Sequence, residues 1–216
     1  IISIRYRDDL MQEAKVLENT KPKGWLHGIP IAIKDLAETK GLRTTWGSPI
    51  FKDHIPNFDS IVSQRIKNAG AIVIGKTNTP EFGLGSHSYN PVHGVTLNPY
   101  DITKTAGGSS GGAAAALAAN LLPVADGSDM MGSLRNPGAF NNIYGFRPSW
   151  GLVPNDSDGD IFMQSLSTCG PMARNPTDLA HLLETLDGPN LLLPTNMSPE
   201  DSYIDGLENS LSNRRI

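Results

Sequence analysis

Two short β-branched runs, Ile29-Pro30-Ile31-Ala32-Ile33 and Ala71-Ile72-Val73-Ile74, constrain the fold of this chain more than any other feature. Each is nearly all apolar and too short for a helix, the pattern of a strand buried on both faces. Between them, Asp59-Ser60 offers a cap for a helix running to Ala69, with Gly70 just beyond its end. Strand, helix and strand in this order predict a βαβ unit. The expected class is therefore α/β, with a mostly parallel β-sheet core covered by helices. The first run ends in Lys34-Asp35, which puts an amine at the carboxyl end of a strand, where open α/β sheets present their reactive groups.

The flanking sequence fits one domain. Residues 5–18 read as an amphipathic helix, with Tyr6, Leu10, Met11, Ala14 and Leu17 on one stripe. Gly75 to Asn98 is a long connection rich in Gly, Asn, Pro and Thr, of the kind that lines sites. Ile143 to Pro148 reads as a further strand or turn. Asn175-Pro176-Thr177-Asp178 is a well-formed helix start, with a cap, a proline at the first helical position and an early acid, and its helix runs to about Leu186. We expect a domain over 1–187, with 188–216 as tail or linker. The chain of 216 residues begins at Ile rather than Met, which suggests a fragment. A net charge of −4 gives no reason to expect a polyanionic partner. The single cysteine, Cys169, permits no internal disulfide and suits a cytoplasmic setting; it reads as a small buried apolar residue rather than a nucleophile. No apolar segment is long enough to span a bilayer, since the longest run, Ala113 to Ala125, is broken by Asn120 and Pro123.

Chemistry concentrates between Lys104 and Pro148. Gly107-Gly108-Ser109-Ser110-Gly111-Gly112 precedes an alanine-rich helix, and Gly127-Ser128-Asp129-Met130-Met131-Gly132-Ser133 follows the apolar run Leu121 to Ala125. Glycines at this density let the backbone approach a ligand, and serines between them sit at turns where a hydroxyl can act as nucleophile or relay. Ordinary strand-to-helix turns use the same residues, so either motif alone is ambiguous.

Several chemistries are excluded. The 107–112 loop lacks the Gly-Lys-Ser/Thr of a phosphate-binding loop. His27, His54, His87, His93 and His181 show no metal-ligand spacing and there is no CxxC, so no metal is expected. Ser-x-x-Lys is absent. Gly107-Gly108-Ser109-Ser110-Gly111 fits the α/β-hydrolase elbow, but Asn98 to Ala106 is no buried strand and the only histidine downstream is His181, inside a helix. A serine without a histidine needs another proton acceptor. Lys34 qualifies if burial holds its amine neutral; the plainer alternative is an ion pair with a carboxylate such as Asp35.

Taken in order, Lys34 within GIPIAIKD, GKTNTPEFG at 75–83, GGSSGG at 107–112 and GSDMMGSLRNP at 127–137 resemble the amidase signature family, over roughly residues 22–187. The spacings of Lys34, Ser109 and Ser133 are also like the family's. The resemblance implies an amidase signature fold, here incomplete, and an amidohydrolase that cleaves a carboxylic amide through a serine acyl-enzyme. In it Ser133 resembles the nucleophile, Ser109 the bridging serine after a cis Gly108–Ser109 bond, and Lys34 the base. Ser110, Ser128 and Asp129 resemble supporting hydrogen-bond partners, Arg135 an anchor of the turn, and Met130, Met131, Gly132 and Ser133 the amides of an oxyanion hole at a helix opening on Ser133. It implies a small-molecule amide substrate, no cofactor, no direct nucleic-acid contact and no membrane; a homodimer is compatible with it. Alternatives are a truncated, inactive relative, or the glutaminase (A) subunit of a tRNA-dependent amidotransferase, which would need partner subunits. One departure is local: the family usually has two glycines before the nucleophile, and Met131 replaces the first.

Overall fold

The computed structural model describes residues 1–156, 165–190, 193, 197, 201–208 and 212. Helix α1 (Arg7–Glu18) comes first, then β1 (Pro30–Lys34), α2 (Ile61–Asn68) and β2 (Ile72–Thr77). The βαβ expectation holds here: β1 and β2 pair in parallel, from Pro30 opposite Ile72 to Lys34 opposite Thr77. The Ser60 hydroxyl caps α2 by accepting from the Ser63 amide at 3.2 Å, and Gly70 ends the helix at φ +92°. Period-two alternation then sorts the β1 side chains. Ile31 and Ile33 enter one apolar core with Val62, Ile66, Leu182 and Leu186, while Ala32 enters a second with Ala113, Ala116, Leu117 and Ala125. Lys34 follows Ala32 by two residues and so falls on its face.

Short hairpins follow: β3 (Tyr89–Asn90) with β4 (Gly94–Val95), and β5 (Leu97–Asn98) with β6 (Asp101–Thr105). Strand β6 is exposed for most of its length, in keeping with a segment too polar for a buried strand. Helix α3 (Gly111–Ala118) leads to β7 (Val124–Asp129), α4 (Arg135–Phe140), β8 (Tyr144–Gly145), β9 (Thr168–Ala173) and α5 (Pro176–Leu186). The start of α5 is as expected, with the Asn175 side chain accepting from the Asp178 amide at 2.8 Å.

The class is α/β, but the sheet is not mostly parallel. Among the described residues the parallel ladder is β1–β2, whereas β7–β9 and β8–β9 are antiparallel. The reason is β9, a strand not anticipated from sequence, which returns alongside β7 in the opposite direction. Strands β1 and β7 are joined through a side chain: the Lys34 amide donates to Asp126 Oδ1 at 3.0 Å. The amphipathic helix expected at 5–18 is α1; none of its residues is fully buried, with Leu10, Ala14 and Leu17 half-buried and Tyr6 just before it 84% exposed. Of the expected tail at 188–216, much lies outside the described residues. Tyr203 packs on the first core, and Glu184 of α5 accepts from the Tyr203 amide at 2.9 Å.

Helix α3 lies so close to the segment after β2 that the Gly112 amide donates to the Asn78 carbonyl at 3.1 Å. A Cβ on Gly112 would overlap the Asn78 backbone nitrogen. Helix propensity favours alanine over glycine by about 1 kcal/mol, whereas overpacking against immovable backbone costs about 1–3 kcal/mol or more. Gly112→Ala is therefore expected to lower the Tm by several degrees in thermal unfolding, and a raised Tm would contradict this contact.

Candidate active site

Lys34 ends β1 with its side chain 1% exposed. Its Nζ lies 2.8 Å from Ser109 Oγ, 2.9 Å from Ser110 Oγ and 3.0 Å from Ser128 Oγ. These are three hydroxyls from two glycine-rich turns. A hydroxyl donates as readily as it accepts, so this cage can hold either an ammonium or a neutral amine. Burial pushes the Lys34 pKa down, against the opposing pull of Asp126, Cys169 and Asp129, and leaves it at about 8. The ion pair with Asp35 is not formed. Asp35 turns to the following loop, where it accepts from the Thr45 amide at 3.0 Å and the Thr45 hydroxyl at 2.5 Å.

Ser109 follows a cis Gly108–Ser109 peptide bond and is buried. Ser88 clamps this turn: its hydroxyl donates to the Ser109 carbonyl at 3.2 Å and accepts from the Gly111 amide at 3.0 Å. The Ser110 amide donates to the Ser133 carbonyl at 3.2 Å, and Ser110 Oγ accepts from the Ser128 amide at 3.3 Å, so the two serine turns are stitched together.

Ser133 is half-buried in the turn ahead of α4, which begins at Arg135 rather than at Ser133. The hydrogen-bond chain from Lys34 reaches Ser109, and the Ser133 side chain is not bonded into it. Asp129 organises this turn. Its carboxylate accepts from the Gly132 amide at 2.7 Å, the Leu134 amide at 3.1 Å, Arg135 Nε at 3.0 Å and Arg147 Nη1 at 2.9 Å. Burial alone would raise the Asp129 carboxyl. The Arg135 guanidinium, the two amides and Arg147 outweigh it and hold the carboxyl well below the usual carboxylate range. The Gly132 amide is thus committed to Asp129 instead of facing an oxyanion. Among the described residues the amides of Met130, Met131 and Ser133 have no hydrogen-bond partner. Gly132 sits at φ +109°, and the Met131 side chain beside it is 85% exposed.

A cavity of about 570 Å³ opens beside Lys34, lined among others by Glu38, Trp46, His54, Phe58, Ser128 and Cys169. That is the size of a small-molecule site. Cys169 is half-buried on β9, and burial pushes its thiol up to about 12, the reverse of what a nucleophile needs. Among the described residues no group of three or more His, Cys, Asp or Glu could hold a metal ion, and no helix is long and apolar enough to cross a membrane. Three residues that sequence reasoning passed over belong to this frame: Ser88, Asp126 and Arg147. Arg147 and Asp126 carried a signal, as a guanidinium and a carboxylate set within otherwise apolar strand-like runs.

Comparison with known proteins gives a consistent picture. The family model described as Amidase matches residues 2–216. The A subunit of the glutamyl-tRNA(Gln) amidotransferase of Sulfurisphaera tokodaii is 44% identical over 189 residues, covering 87% of this chain and 39% of that protein. Among solved structures, a bacterial aryl acylamidase of the amidase signature family superposes with a TM-score of 0.87 at 32% identity, over 95% of this chain and 44% of its own. The native peptide amidase of Stenotrophomonas maltophilia gives a TM-score of 0.82 at 33% identity, over 94% and 44%. The chain thus spans less than half the length of the relatives it matches.

Replacing Asp129 removes the acceptor of two backbone amides at once. Each buried amide left unsatisfied costs about 1–3 kcal/mol. Asp129→Ala is expected to destabilise the chain by about 2–4 kcal/mol in denaturant unfolding. A loss under about 0.5 kcal/mol would show that the turn does not depend on this carboxylate.

Proposed function

The chain belongs to the amidase family, and we propose that it carries the acyl-transfer centre of an amide hydrolase, with Ser133 as nucleophile, Ser109 as proton relay and Lys34 as base. One observation supports this above the others: a lysine amine removed from water lies 2.8 Å from the hydroxyl of Ser109, in a cage without carboxylates. In this reading Ser133 Oγ attacks the amide carbonyl carbon. Its proton passes to Ser109, and the Ser109 proton passes to the neutral Lys34 amine. The Ser133 hydroxyl joins the relay by rotating toward Ser109 as substrate binds, since catalytic hydrogen bonds commonly tighten only in the complex. The amides of Met130, Met131 and Ser133 face the developing oxyanion, while Gly132 and Asp129 hold the turn that presents them. The Lys34 ammonium returns its proton to the leaving amine, and water then cleaves the acyl-enzyme by the same relay run again. Ser110 and Ser128 keep Lys34 aligned.

A second reading is favoured by the relatives' names. The 44% identity to the A subunit of a glutamyl-tRNA(Gln) amidotransferase supports a glutaminase component working with partner chains, by the same chemistry on glutamine. The two readings part on substrate and assembly. A stand-alone amidase hydrolyses simple amides as a monomer or homodimer. An amidotransferase component releases ammonia from glutamine and needs its partners to do so. Either reading is compatible with a cytoplasmic protein.

The assignment is tested by fluorophosphonate labelling of the active polypeptide that contains residues 1–216, with the adduct mapped by mass spectrometry. The adduct is expected on Ser133 and absent from Ser133→Ala. Lys34→Ala is expected to slow labelling by about 10²–10⁴-fold. An adduct on another residue, or near-normal labelling of Lys34→Ala, would refute the relay.

The pH dependence follows from the burial of Lys34. Its folded pKa is lowered to about 8, and only the unprotonated amine accepts a proton. Labelling is therefore expected to level off above about pH 8 and to fall about tenfold per unit below it. A rate flat from pH 6 to 9 would exclude Lys34 as the base.

A further inference from the structure

Two buried groups beside the site are left unused by the mechanism above, Asp126 and Lys76. Asp126 sits on β7 two residues before Ser128, on the same face, and is 2% exposed. Its Oδ1 accepts the Lys34 amide at 3.0 Å, and among the described residues no side-chain cation touches it. The other acids near Lys34 have partners of their own. Asp129 holds Arg135 and Arg147, and Asp35 is bound by the Thr45 hydroxyl and the Thr45 amide. Glu38, in the cavity wall, meets His54 at 3.3 Å. Lys76 lies on β2 opposite Ile33, hence on the far face from Lys34, and donates to the Ala37 carbonyl and to Thr39 Oγ1 at 2.8 Å. Cys169, also in the cavity wall, is held as a neutral thiol.

We propose that Asp126 is a positioning residue for the amide-hydrolysis reaction: its buried carboxylate, bonded to the Lys34 amide, fixes the end of β1 and by its charge strengthens the hold of Lys34 on a proton. The inference rests on the reading of Lys34 as base. Its logic is a balance of two opposing effects. Burial by itself pushes a lysine far down and leaves a poor base, because proton-transfer driving force falls with basicity. The Asp126 carboxylate, held on the Lys34 backbone amide, pushes it back up. The two together leave Lys34 near the pH at which it must exchange protons in both directions, once in acylation and once toward the leaving amine. Burial raises the Asp126 carboxyl, while the Lys34 amide and the charges of Lys76 and Lys34 lower it. The backbone bond fixes geometry as well, since it ties β1 to β7 where no ladder does.

The test separates charge from bracing. Asn at 126 can still accept the Lys34 amide through its carbonyl oxygen but carries no charge. Fluorophosphonate labelling of the active polypeptide is followed against pH for the parent, Asp126→Asn, Asp126→Ser and Lys34→Ala, with circular dichroism to confirm folding. In Asp126→Asn the acid limb of the labelling profile is expected to move down by about one pH unit, with a lower plateau. Asp126→Ser, a smaller uncharged acceptor, is expected to move it the same way and serves if the Asn variant does not fold. An acid limb that coincides with the parent's in a folded variant overturns the proposal. So does loss of fold in both variants, which would make Asp126 a brace and no more. If Lys34→Ala keeps the parent's limb, the limb does not belong to Lys34, and the base assignment itself falls.

Discussion

The site depends on one buried amine surrounded by hydroxyls. Taking a lysine out of water is costly, and proteins usually answer with a carboxylate or carbonyls that keep it charged. Here Lys34 meets three serine hydroxyls, each of which can reverse its role from acceptor to donor. Lys76 on the neighbouring strand shows the contrast. It is equally buried and also lowered to about 8, yet one of its partners is the Ala37 carbonyl, which only accepts. Burial brings both amines within reach of neutrality. Only the hydroxyl cage gives the neutral form a full set of partners, so the partners, and not the titration value, mark the site.

The rest of the architecture can be read as what is needed to bring three hydroxyls to one amine. Strand β1 delivers Lys34 on the Ala32 face, where the small side chains of α3 leave room for the serine turns. The cis turn is clamped from outside by Ser88, and the second turn is held from within by Asp129. Asp129 is loaded with two guanidiniums and two amides, so it is a fixed anion over a broad pH range and does not compete as a base. Asp126, which lacks such partners, is bonded to the Lys34 backbone amide and opposes the effect of burial on the Lys34 amine, with Asp129 acting in the same sense.

Much of this was legible in the sequence, and the failures have physical causes. The βαβ unit, the Ser60 and Asn175 caps and the placement of Lys34 at a strand end follow from short-range rules, which see apolar runs and turn residues directly. Strand β9 escaped because Thr168–Ala173 contains Gly170 and Pro171, residues that strand propensity disfavours. Pro171 is tolerated because the β8 ladder reaches only Met172 and Ala173. Of strand β7 the sequence shows only the end of an apolar run, Leu121 to Ala125, which is not read as a strand. The second half of β7, Gly127-Ser128-Asp129, reads as a turn, and only pairing with β9 makes it a strand. The commitment of the Gly132 amide to Asp129 was beyond local reading as well, because whether an amide faces a ligand or a side chain is decided by the turn as a whole. Helix α1 was legible from its stripe, but periodicity records an apolar face and not how far it is covered, and here Leu10, Ala14 and Leu17 are only half-buried.

The same burial that suits Lys34 to its proposed role disqualifies the thiol in the cavity wall as a nucleophile. Desolvation always favours the uncharged form, so it acts in opposite senses on the two groups. For an amine the uncharged form is the base, and burial makes it available at neutral pH. For a thiol the uncharged form is inert, and Cys169 is pushed up to about 12. A cysteine beside a lysine invites the reading of a thiolate–ammonium pair, but that pair would need two charges where the surroundings support one at most. A serine needs no resting charge. It gives up its proton only as the carbonyl is attacked, and a neutral amine linked through a neutral hydroxyl can take that proton without any ion pair in the ground state. Around a buried amine, a relay of uncharged groups is the arrangement that costs least, and the 2.8 Å contact of Lys34 with Ser109 is the link on which the proposed relay through Ser133 would build.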